Sequence, residues 1–186
     1  MKDNRVLLGF SGGIDSFAAV GLLQAAGYHV TALTLDMRGD SALLEKARLR
    51  AGALGIPWRM RSVRERFERE VVDYFTDSYF RGRTPAPCTR CNSRIKWPCL
   101  AAEADALGIR YIATGHYFRI TSAGGKRYVT RAADNRKDQS YYLWDLPQEI
   151  LDRVLTPMGT VIKRNITEEL ADRRESMGVC FFEGRP

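Results

Sequence analysis

The segment Phe10-Ser11-Gly12-Gly13-Ile14-Asp15-Ser16 constrains this chain more than any other stretch. It follows the apolar run 6–9 and precedes a segment with the apolar spacing of a helix, which extends to about Ala26. A buried strand is therefore predicted to end in a glycine turn that opens a helix. The glycines allow a ligand to approach the backbone, and the helix N-terminus favours an anion there. The sequence thus predicts a phosphate-binding turn.

This turn differs from the Walker A loop. The pattern GxxxxGK[ST] is absent, and no lysine follows the glycines to reach the terminal phosphates of a nucleotide. The hydroxyls of Ser11 and Ser16 could instead donate to phosphate oxygens, and Asp15 could hold a magnesium ion against them. An ordinary tight turn is the alternative, because Ser-Gly-Gly also occurs in many unrelated strand-to-helix turns.

Predicted strands and helices alternate along most of the chain. Strands are predicted at 6–9, 29–35, 58–61 and 111–114, and helices at 14–26, 41–54, 63–80 and 92–107. This alternation favours an α/β fold with a Rossmann-like parallel sheet sandwiched by helices. Residues 117–131, with Gly124-Gly125 near their middle, have the pattern of a β-hairpin. A small helical C-terminal appendage is expected after Ala133.

Composition and charge narrow the class of protein. With 186 residues, 45% of them hydrophobic, the chain is long enough for one α/β core. No apolar run approaches the roughly 18 residues of a membrane span, and no signal peptide precedes the first strand, so we expect a cytoplasmic protein. A net charge of +7 favours a polyanionic partner. One basic cluster, at 59–69, is interleaved with glutamates and suits a solvated helix face equally well. A second cluster lacks nearby acids and favours phosphate binding: Arg81, Arg83, Arg90, Arg94 and Lys96.

Two of the four cysteines, Cys88 and Cys91, form a CxxC pair in a basic, proline-rich loop. A helix capped by Asn92 is predicted to follow. Cationic neighbours and a helix N-terminus both stabilise thiolates, so a low thiol pKa is expected, lowest for Cys91. Cys99 is expected to be a buried thiol of the core. Cys180 lies between apolar residues, and this local sequence alone also predicts a core cysteine. A structural zinc site is the alternative, with two further ligands drawn from Cys99, Cys180, His29 and His116.

Five motifs occur in order along the chain: SGGIDS, TPAPCTRCNSRIKW, YIATGHY, RKDQSYYL and MGVCFF. In this order they resemble the tRNA-specific 2-thiouridylases. These are PP-loop enzymes of the N-type ATP pyrophosphatase superfamily that install sulfur at the wobble uridine of tRNA. The resemblance spans nearly the whole chain and implies an adenine nucleotide alpha-hydrolase-like fold. An older description of the family as methyltransferases fits poorly, because the sequence contains no motif for a methyl-donor cofactor.

The resemblance also implies roles for single residues. It implies an ATP site at Gly9, Phe10, Ser11, Gly12, Gly13, Ile14, Asp15 and Ser16, with Leu35 beside the adenine and Gly115 closing the pocket. It implies tRNA contacts at His116, Lys137, Asp138 and Gln139, and a target-base segment at Ala86, Pro87 and Cys88. Cys91 matches the first catalytic cysteine, and Cys180 the second, which carries a persulfide. Cys88 stands where some members have an aspartate proposed for acid-base work.

The implied reaction uses ATP and magnesium to adenylate C2 of the uridine. A Cys180 persulfide then adds at C2 and AMP leaves, after which Cys91 forms a disulfide with Cys180. The implied partners are tRNA and a sulfur-donor protein that delivers the persulfide. As an alternative, Cys88, Cys91 and Cys180 could ligate an iron–sulfur cluster. Two other functions stay open, an ATP pyrophosphatase with another acceptor and a metal- and RNA-binding module that is not an enzyme.

The resemblance also suggests a division of the chain. Residues 1–133 are expected to form the PP-loop ATP pyrophosphatase domain. Residues 134–186 are expected to form the helical appendage and the start of a central region that carries Cys180. Either a truncated central region or a reduced relative with a different substrate fits the sequence. Members of the family continue past the second cysteine into a small central domain and a C-terminal β-barrel.

Overall fold

The computed structural model describes residues 3–169 and 180–181 of the chain. Within these residues, five parallel strands form one sheet, in the order Trp58–Ser62, His29–Asp36, Arg5–Gly9, Tyr111–Thr114 and Val154–Leu155. The strands are β1 (Arg5–Gly9), β2 (His29–Asp36), β3 (Trp58–Ser62), β4 (Tyr111–Thr114) and β7 (Val154–Leu155). The strand order reverses between β1 and β4. Open parallel sheets bind ligands beyond the carboxyl ends of the strands at such a reversal, and the turn after β1 lies there.

Helices cover both faces of this sheet. They are α1 (Ile14–Ala25), α2 (Ser41–Ala53), α3 (Arg64–Phe67), α4 (Asp73–Phe80), α5 (Pro87–Cys91), α6 (Trp97–Ala106), α7 (Gln148–Leu151) and α8 (Lys163–Glu169). Val6 and Leu8 pack in a core with residues of α1 and α2, whereas Leu7 packs in a second core with residues of α6 and α7. Successive strand residues point to opposite faces, so these contacts place a helical layer on each side. The predicted α/β sandwich is confirmed.

Two π-helical turns interrupt the helices beside the sheet. The turn Glu68–Val72 joins α3 to α4, and the turn Asn92–Lys96 joins α5 to α6. The prediction that a helix starts at Asn92 is wrong, because the helix already begins at Pro87. Proline suits the first helical position, where its missing N–H would have no partner. Cys88 and Cys91 therefore lie within a helix and not in a loop before it.

The segment after β4 begins with the predicted hairpin. Strands β5 (Arg119–Ala123) and β6 (Lys126–Thr130) pair antiparallel around Gly124 and Gly125, whose φ angles are 56° and 73°. A tight two-residue turn of this kind needs positive φ at both positions, which glycine adopts without strain. The segment 134–169 contains short helices and also strand β7, which pairs with β4. Every helix in the described residues is too short or too polar to span a lipid bilayer.

Candidate functional site

The turn between β1 and α1 requires glycine for two reasons. Gly12 has a φ of 68°, and a Cβ built on it would lie 2.9 Å from the Cα of Ala47 in α2. Gly13 occupies the N-cap position of α1. No side chain among the described residues caps this helix, so its first backbone N–H groups remain available to a ligand. The turn therefore has the backbone geometry of an anion-binding site.

Two serine hydroxyls and one further glycine complete the turn. The Oγ atoms of Ser11 and Ser16 lie 3.3 Å apart, and Ser16 Oγ donates to the carbonyl of Gly13 at 3.0 Å. Gly115 follows β4, and a Cβ built on it would lie 2.8 Å from the backbone nitrogen of Ser16. The end of β4 thus packs directly on the first turn of α1. That Gly115 closes a nucleotide pocket stays a prediction.

Asp15 is paired with a lysine from the far end of the described chain. Lys163 Nζ donates to the two carboxylate oxygens of Asp15 at 2.5 and 2.7 Å, and the Tyr117 hydroxyl donates to one of them at 2.8 Å. Lys163 is only 6% exposed. Its backbone N–H donates to the carboxylate of Asp134 at 3.0 Å, which fixes the start of α8. The lysine that the turn lacks in sequence is therefore supplied by α8.

A second cation reaches the turn from α2, where an Arg50 guanidinium nitrogen donates to the carbonyl of Gly12. Arg50 and Lys163 thus place two positive side chains beside a helix N-terminus. This arrangement suits a polyphosphate. Sequence reasoning missed both residues, because neither is adjacent to the glycines. The available signal was indirect, since a carboxylate in a phosphate-binding turn needs a cationic partner.

The end of β2 connects this turn with the cysteine helix. Thr34 Oγ1 donates to the carbonyl of Phe10 at 2.7 Å and accepts from Trp58 Nε1 at 2.9 Å, which anchors the start of the turn to β2. Leu35, the next residue of β2, packs against the apolar cluster that contains Cys91. One strand therefore contacts both groups of predicted site residues.

The two cysteines of the CxxC pair differ in exposure. Cys91 is 4% exposed, whereas Cys88 is half-buried. Burial raises the pKa of Cys91 to about 11, and it also raises the pKa of Cys88. The expected low thiol pKa is therefore wrong for this structure. Loss of hydration outweighs the cationic surroundings that the sequence suggested.

Lys96 opposes this effect of burial. Its positive charge lowers the pKa of both Cys88 and Cys91. In an α-helix, a residue five positions after Cys91 would lie about 140° away around the axis. Here the backbone N–H of Trp97 donates to the carbonyl of Asn92, and this wider π-helical turn brings Lys96 back towards the cysteine face. With the other described residues, the Lys96 ammonium forms no hydrogen bond or ion pair.

Cys180 lies close to the CxxC pair. Its backbone carbonyl accepts from Arg38 Nη1 at 2.7 Å, and its thiol is exposed. The neighbouring Phe181 ring contacts Phe67 and Phe75 edge-on, at centroid distances of 5.9 and 5.2 Å. Electrostatic interaction with Cys180 contributes to the raised pKa of Cys88 and Cys91, so the three thiols share one region.

Residues 4–184 match the family model of the tRNA methyl transferase HUP domain. The chain belongs to this family. It is 45% identical, over 97% of its length, to tRNA-specific 2-thiouridylase MnmA 2 of Phocaeicola vulgatus, and 46% identical over the same share to MnmA 1 of Bacteroides fragilis. It covers 54% and 52% of these proteins. The chain thus spans about half the length of the curated relatives it matches.

Two solved structures share the fold of this chain. A predicted subunit of tRNA methyltransferase from Methanocaldococcus jannaschii superposes with a TM-score of 0.57 at 16% identity, covering 89% of this chain and 74% of that one. An NH3-dependent NAD synthetase from Campylobacter jejuni gives 0.53 at 18% identity, covering 91% and 65%. At such identities the likeness concerns the fold alone.

His116 follows β4 in this HUP-domain chain, next to the turn glycine Gly115. Its Nδ1 lies 2.8 Å from Thr114 Oγ1, and its ring lies 6.4 Å from that of Trp97. Burial of the ring lowers the pKa of His116 to about 3, with a further contribution from the charge of Lys96. The imidazole is therefore neutral at physiological pH. It can form hydrogen bonds but carries no charge, and its contact with tRNA stays a prediction.

The other predicted tRNA contacts lie in a segment bound to the residue after His116. The Gln139 side chain accepts from the backbone N–H of Tyr117 at 3.0 Å, and the Gln139 N–H donates to the Tyr117 carbonyl at 2.8 Å. Asp138 accepts from the backbone of Ala132 and from the Ser140 hydroxyl, at 2.8 and 2.7 Å. These bonds hold the segment against β4. Contact of Lys137, Asp138 and Gln139 with tRNA stays a prediction, as it does for Ala86 and Pro87.

The metal alternatives fit this arrangement less well. In residues 3–169 and 180–181, no three His, Cys, Asp or Glu side chains converge as a metal site would require. A zinc site or an iron–sulfur cluster on Cys88, Cys91 and Cys180 is therefore not supported. Magnesium needs fewer protein ligands, because it binds through one or two carboxylates together with substrate phosphates. That Asp15 holds magnesium stays a prediction, since Lys163 bonds to both oxygens of its carboxylate in this structure.

Proposed function

We propose that this chain is the ATP-binding and thiol-bearing part of an enzyme that replaces the C2 oxygen of a tRNA uridine with sulfur. The main support is that the phosphate-type turn and Cys91 both adjoin strand β2, and that the backbone of Cys180 binds Arg38 just after the end of that strand. The names of the relatives from Phocaeicola vulgatus and Bacteroides fragilis agree with this reaction. Because the chain covers about half of those proteins, the activity of the whole enzyme is part of the proposal.

ATP would bind with its phosphates over the turn. The open N–H groups of α1 and the hydroxyls of Ser11 and Ser16 are suited to phosphate oxygens. Arg50 and Lys163 would offset their negative charge. Magnesium, held by Asp15 and the phosphates, would stabilise the departing pyrophosphate. In this account Lys163 exchanges the Asp15 carboxylate for a phosphate when ATP arrives.

The first chemical step makes the uridine reactive. The C2 carbonyl is a poor electrophile, so its oxygen attacks the α-phosphate of ATP and pyrophosphate leaves. The resulting adenylate has AMP as its leaving group. The cationic turn would stabilise the charge that develops on the pyrophosphate. The uridine must leave its base stack to reach this site.

The thiols then complete the exchange. The exposed Cys180 suits loading with persulfide by a donor protein, and its terminal sulfur adds at C2 as AMP leaves. The Cys91 thiolate next attacks the Cys180 sulfur, which breaks the S–S bond and releases the thiolated uridine. A Cys91–Cys180 disulfide remains. Because burial raises the pKa of Cys91 to about 11, the attack requires loss of the thiol proton, which the positive charge of Lys96 favours.

Cys88 would act as a proton donor in this scheme. Burial raises its thiol pKa, so at neutral pH it holds a proton. Its position one helical turn before Cys91 places it near the reacting sulfur atoms. A proton from Cys88 could be passed to the uridine oxygen as AMP leaves.

Separate assays of AMP and 2-thiouridine test the proposed function. The full chain is incubated with tRNA, ATP and a persulfide donor, and both products are quantified by mass spectrometry. We expect Cys180→Ser to form AMP but no 2-thiouridine, and Cys99→Ser, which changes a thiol outside the proposed chemistry, to form both. Thiolation that survives Cys180→Ser would contradict the role of Cys180. AMP formation that needs a small acceptor instead of tRNA would contradict the choice of substrate.

A further inference from the structure

Three large aromatic side chains lie exposed within four residues. Tyr141, Tyr142 and Trp144 are 70%, 38% and 68% exposed, and we call them the aromatic platform. Leu143, between them, is 1% exposed and packs in the core. Isolated exposed apolar residues are common, but a group of aromatic rings at one place is typical of an interaction surface.

The platform is held rigidly although its rings face solvent. The 3-10 turn Ser140–Tyr142 is closed by hydrogen bonds from Tyr142 N to Gln139 O and from Leu143 N to Ser140 O, both at 3.0 Å. The rings of Tyr141 and Tyr142 meet edge to face at 5.9 Å. Leu146 anchors the following turn in the same core as Leu143. A surface fixed in this way loses little conformational entropy when a partner binds.

The platform adjoins the cysteine helix. The turn Ser140–Tyr142 packs against α5, the helix that carries Cys88 and Cys91. The aromatic rings are therefore carried by an element that neighbours the helix of the two thiols. The platform also follows directly on Lys137, Asp138 and Gln139, the segment predicted to contact tRNA.

Positive charge surrounds the same helix. Arg83 lies before α5 and Arg94 after it, both exposed, and neither forms an ion pair with another described residue. Arg131 and Arg136 are exposed on the strand-to-turn connection that leads to the platform. The same connection carries Asp134 and Asp138, whose carboxylates accept hydrogen bonds from neighbouring residues, and Asp145 follows the platform. Flat aromatic rings within a basic surrounding complement the bases and phosphates of unpaired RNA.

We propose that the aromatic platform stacks on unpaired bases of an RNA loop, next to the uridine that is presented to the cysteines. The proposal rests on the proposed function, because it takes tRNA to be the substrate. It adds a binding role for Tyr141, Tyr142 and Trp144 that the motif resemblance does not assign. Stacking tolerates any base, so the platform would hold the loop open without reading its sequence.

A hairpin RNA with a loop uridine and a neighbouring 2-aminopurine tests this role. Binding to the full chain should quench the 2-aminopurine fluorescence, because the signal falls when the base stacks. Tyr141→Ala and Trp144→Ala should each weaken binding at least about fivefold. Tyr141→Phe and Trp144→Phe should stay within twofold of the original protein. Tyr128→Ala removes a tyrosine that is 47% exposed on the hairpin and should change nothing.

Salt dependence separates stacking from charge. The alanine variants should keep the original slope of affinity against salt concentration, because their phosphate contacts are intact, whereas Arg83→Ala should reduce it. Alanine variants that bind and quench like the original protein would overturn the platform, even where the protein forms AMP and 2-thiouridine. Conversely, the original protein could quench the fluorescence normally but form no AMP from tRNA and ATP. That result would overturn the proposed function but not the RNA-binding role of the aromatic platform. Unchanged thermal unfolding of the variants confirms that they are folded.

Discussion

Lys163 and Asp15 form a part-buried ion pair although they lie 148 positions apart in the chain, with N–O distances of 2.5 and 2.7 Å. The pair joins the last described helix to the phosphate-binding turn. It brings a lysine from a distant part of the chain to a turn that has no lysine of its own. It also means that the site is assembled only when the end of the described chain has folded onto its start.

Loss of the Lys163 ammonium should weaken ATP binding. Lys163→Met removes a charge that we expect to move to a phosphate, and charged hydrogen bonds of this type correspond to a tenfold or greater loss of affinity. The unpaired Asp15 should also lower the free energy of unfolding by about 2 kcal/mol, less than for a fully buried pair. Calorimetric titration with ATP and urea unfolding measure the two effects. Lys163→Arg, which keeps the charge, is the control, and equal ATP affinity in Lys163→Met would contradict the role.

Gly115 should not tolerate a side chain. In Gly115→Ala the new Cβ would lie 2.8 Å from the Ser16 nitrogen, so β4 and α1 must separate. Such overpacking costs about 1–3 kcal/mol, and the displaced turn should bind ATP more weakly. Gly21→Ala is the matched control, because Gly21 lies within α1 with no atom within 4 Å of its Cβ position. That change should raise stability by about 0.5–1 kcal/mol. Equal stability of the two variants would show that Gly115 is not tightly packed.

The reactivity of Cys91 should rise steeply with pH. Its pKa is raised to about 11, so the thiolate fraction grows about tenfold per pH unit up to that value. Lys96→Met removes a charge that lowers this pKa and should slow alkylation of Cys91 at pH 8, whereas Arg94→Met should have little effect. Peptide mass spectrometry after timed iodoacetamide treatment measures the rate at each cysteine. A reaction of Cys91 that is complete at neutral pH would contradict the raised pKa.

The same shift predicts a loss of stability in alkali. A thiol whose pKa is about 11 when folded, against an ordinary 9.0, favours the folded state while both forms are protonated. That contribution should be full below pH 9 and should decline as the pH rises from 9 to about 11. Urea unfolding of the original protein and of Cys91→Ala, compared over this range, isolates it. The decline should be smaller in Cys91→Ala.

His116 should stay neutral down to acidic pH. Its pKa is lowered to about 3 from an ordinary 6.5, so its stability contribution is present above pH 6.5 and is lost as the pH falls towards 3. The ring proton resonances of His116 should therefore not shift between pH 8 and pH 5. The chain has one other histidine, His29, so the spectrum contains a second set of ring signals. The variant His29→Gln lacks that set and thereby assigns the remaining signals to His116. Titration of His116 near pH 6.5 would contradict its burial.

Local features of the sequence predicted the fold well. The strand, glycine turn and helix around Ser11 and Ser16 depend on residues adjacent in the chain, and they form as expected. The cysteine helix starts at Pro87 and not after Asn92, because proline suits the first helical position and outweighs the capping preference of asparagine. The π-helical turn that redirects Lys96 has no recognisable local pattern.

Features set by tertiary packing could not be predicted. The pKa of Cys91 depends on burial against Phe67, Val71 and Ile95, which the charge pattern around the cysteines does not reveal. Lys163 was missed because its partner lies at the other end of the chain. The placement of Cys180 beside the CxxC pair was implied by family resemblance alone, and residues 170–179, which precede it, lie outside the described part of the chain.

A single-turnover reaction tests the central claim most directly. The full chain, with a persulfide installed on Cys180, is mixed with excess tRNA and ATP but no reductant. AMP, 2-thiouridine and the Cys91–Cys180 disulfide are then quantified by mass spectrometry. The account predicts the three products in equal amounts, because one ATP, one sulfur and one thiol pair are used per uridine. Thiouridine and AMP formed without a Cys91–Cys180 disulfide would contradict it.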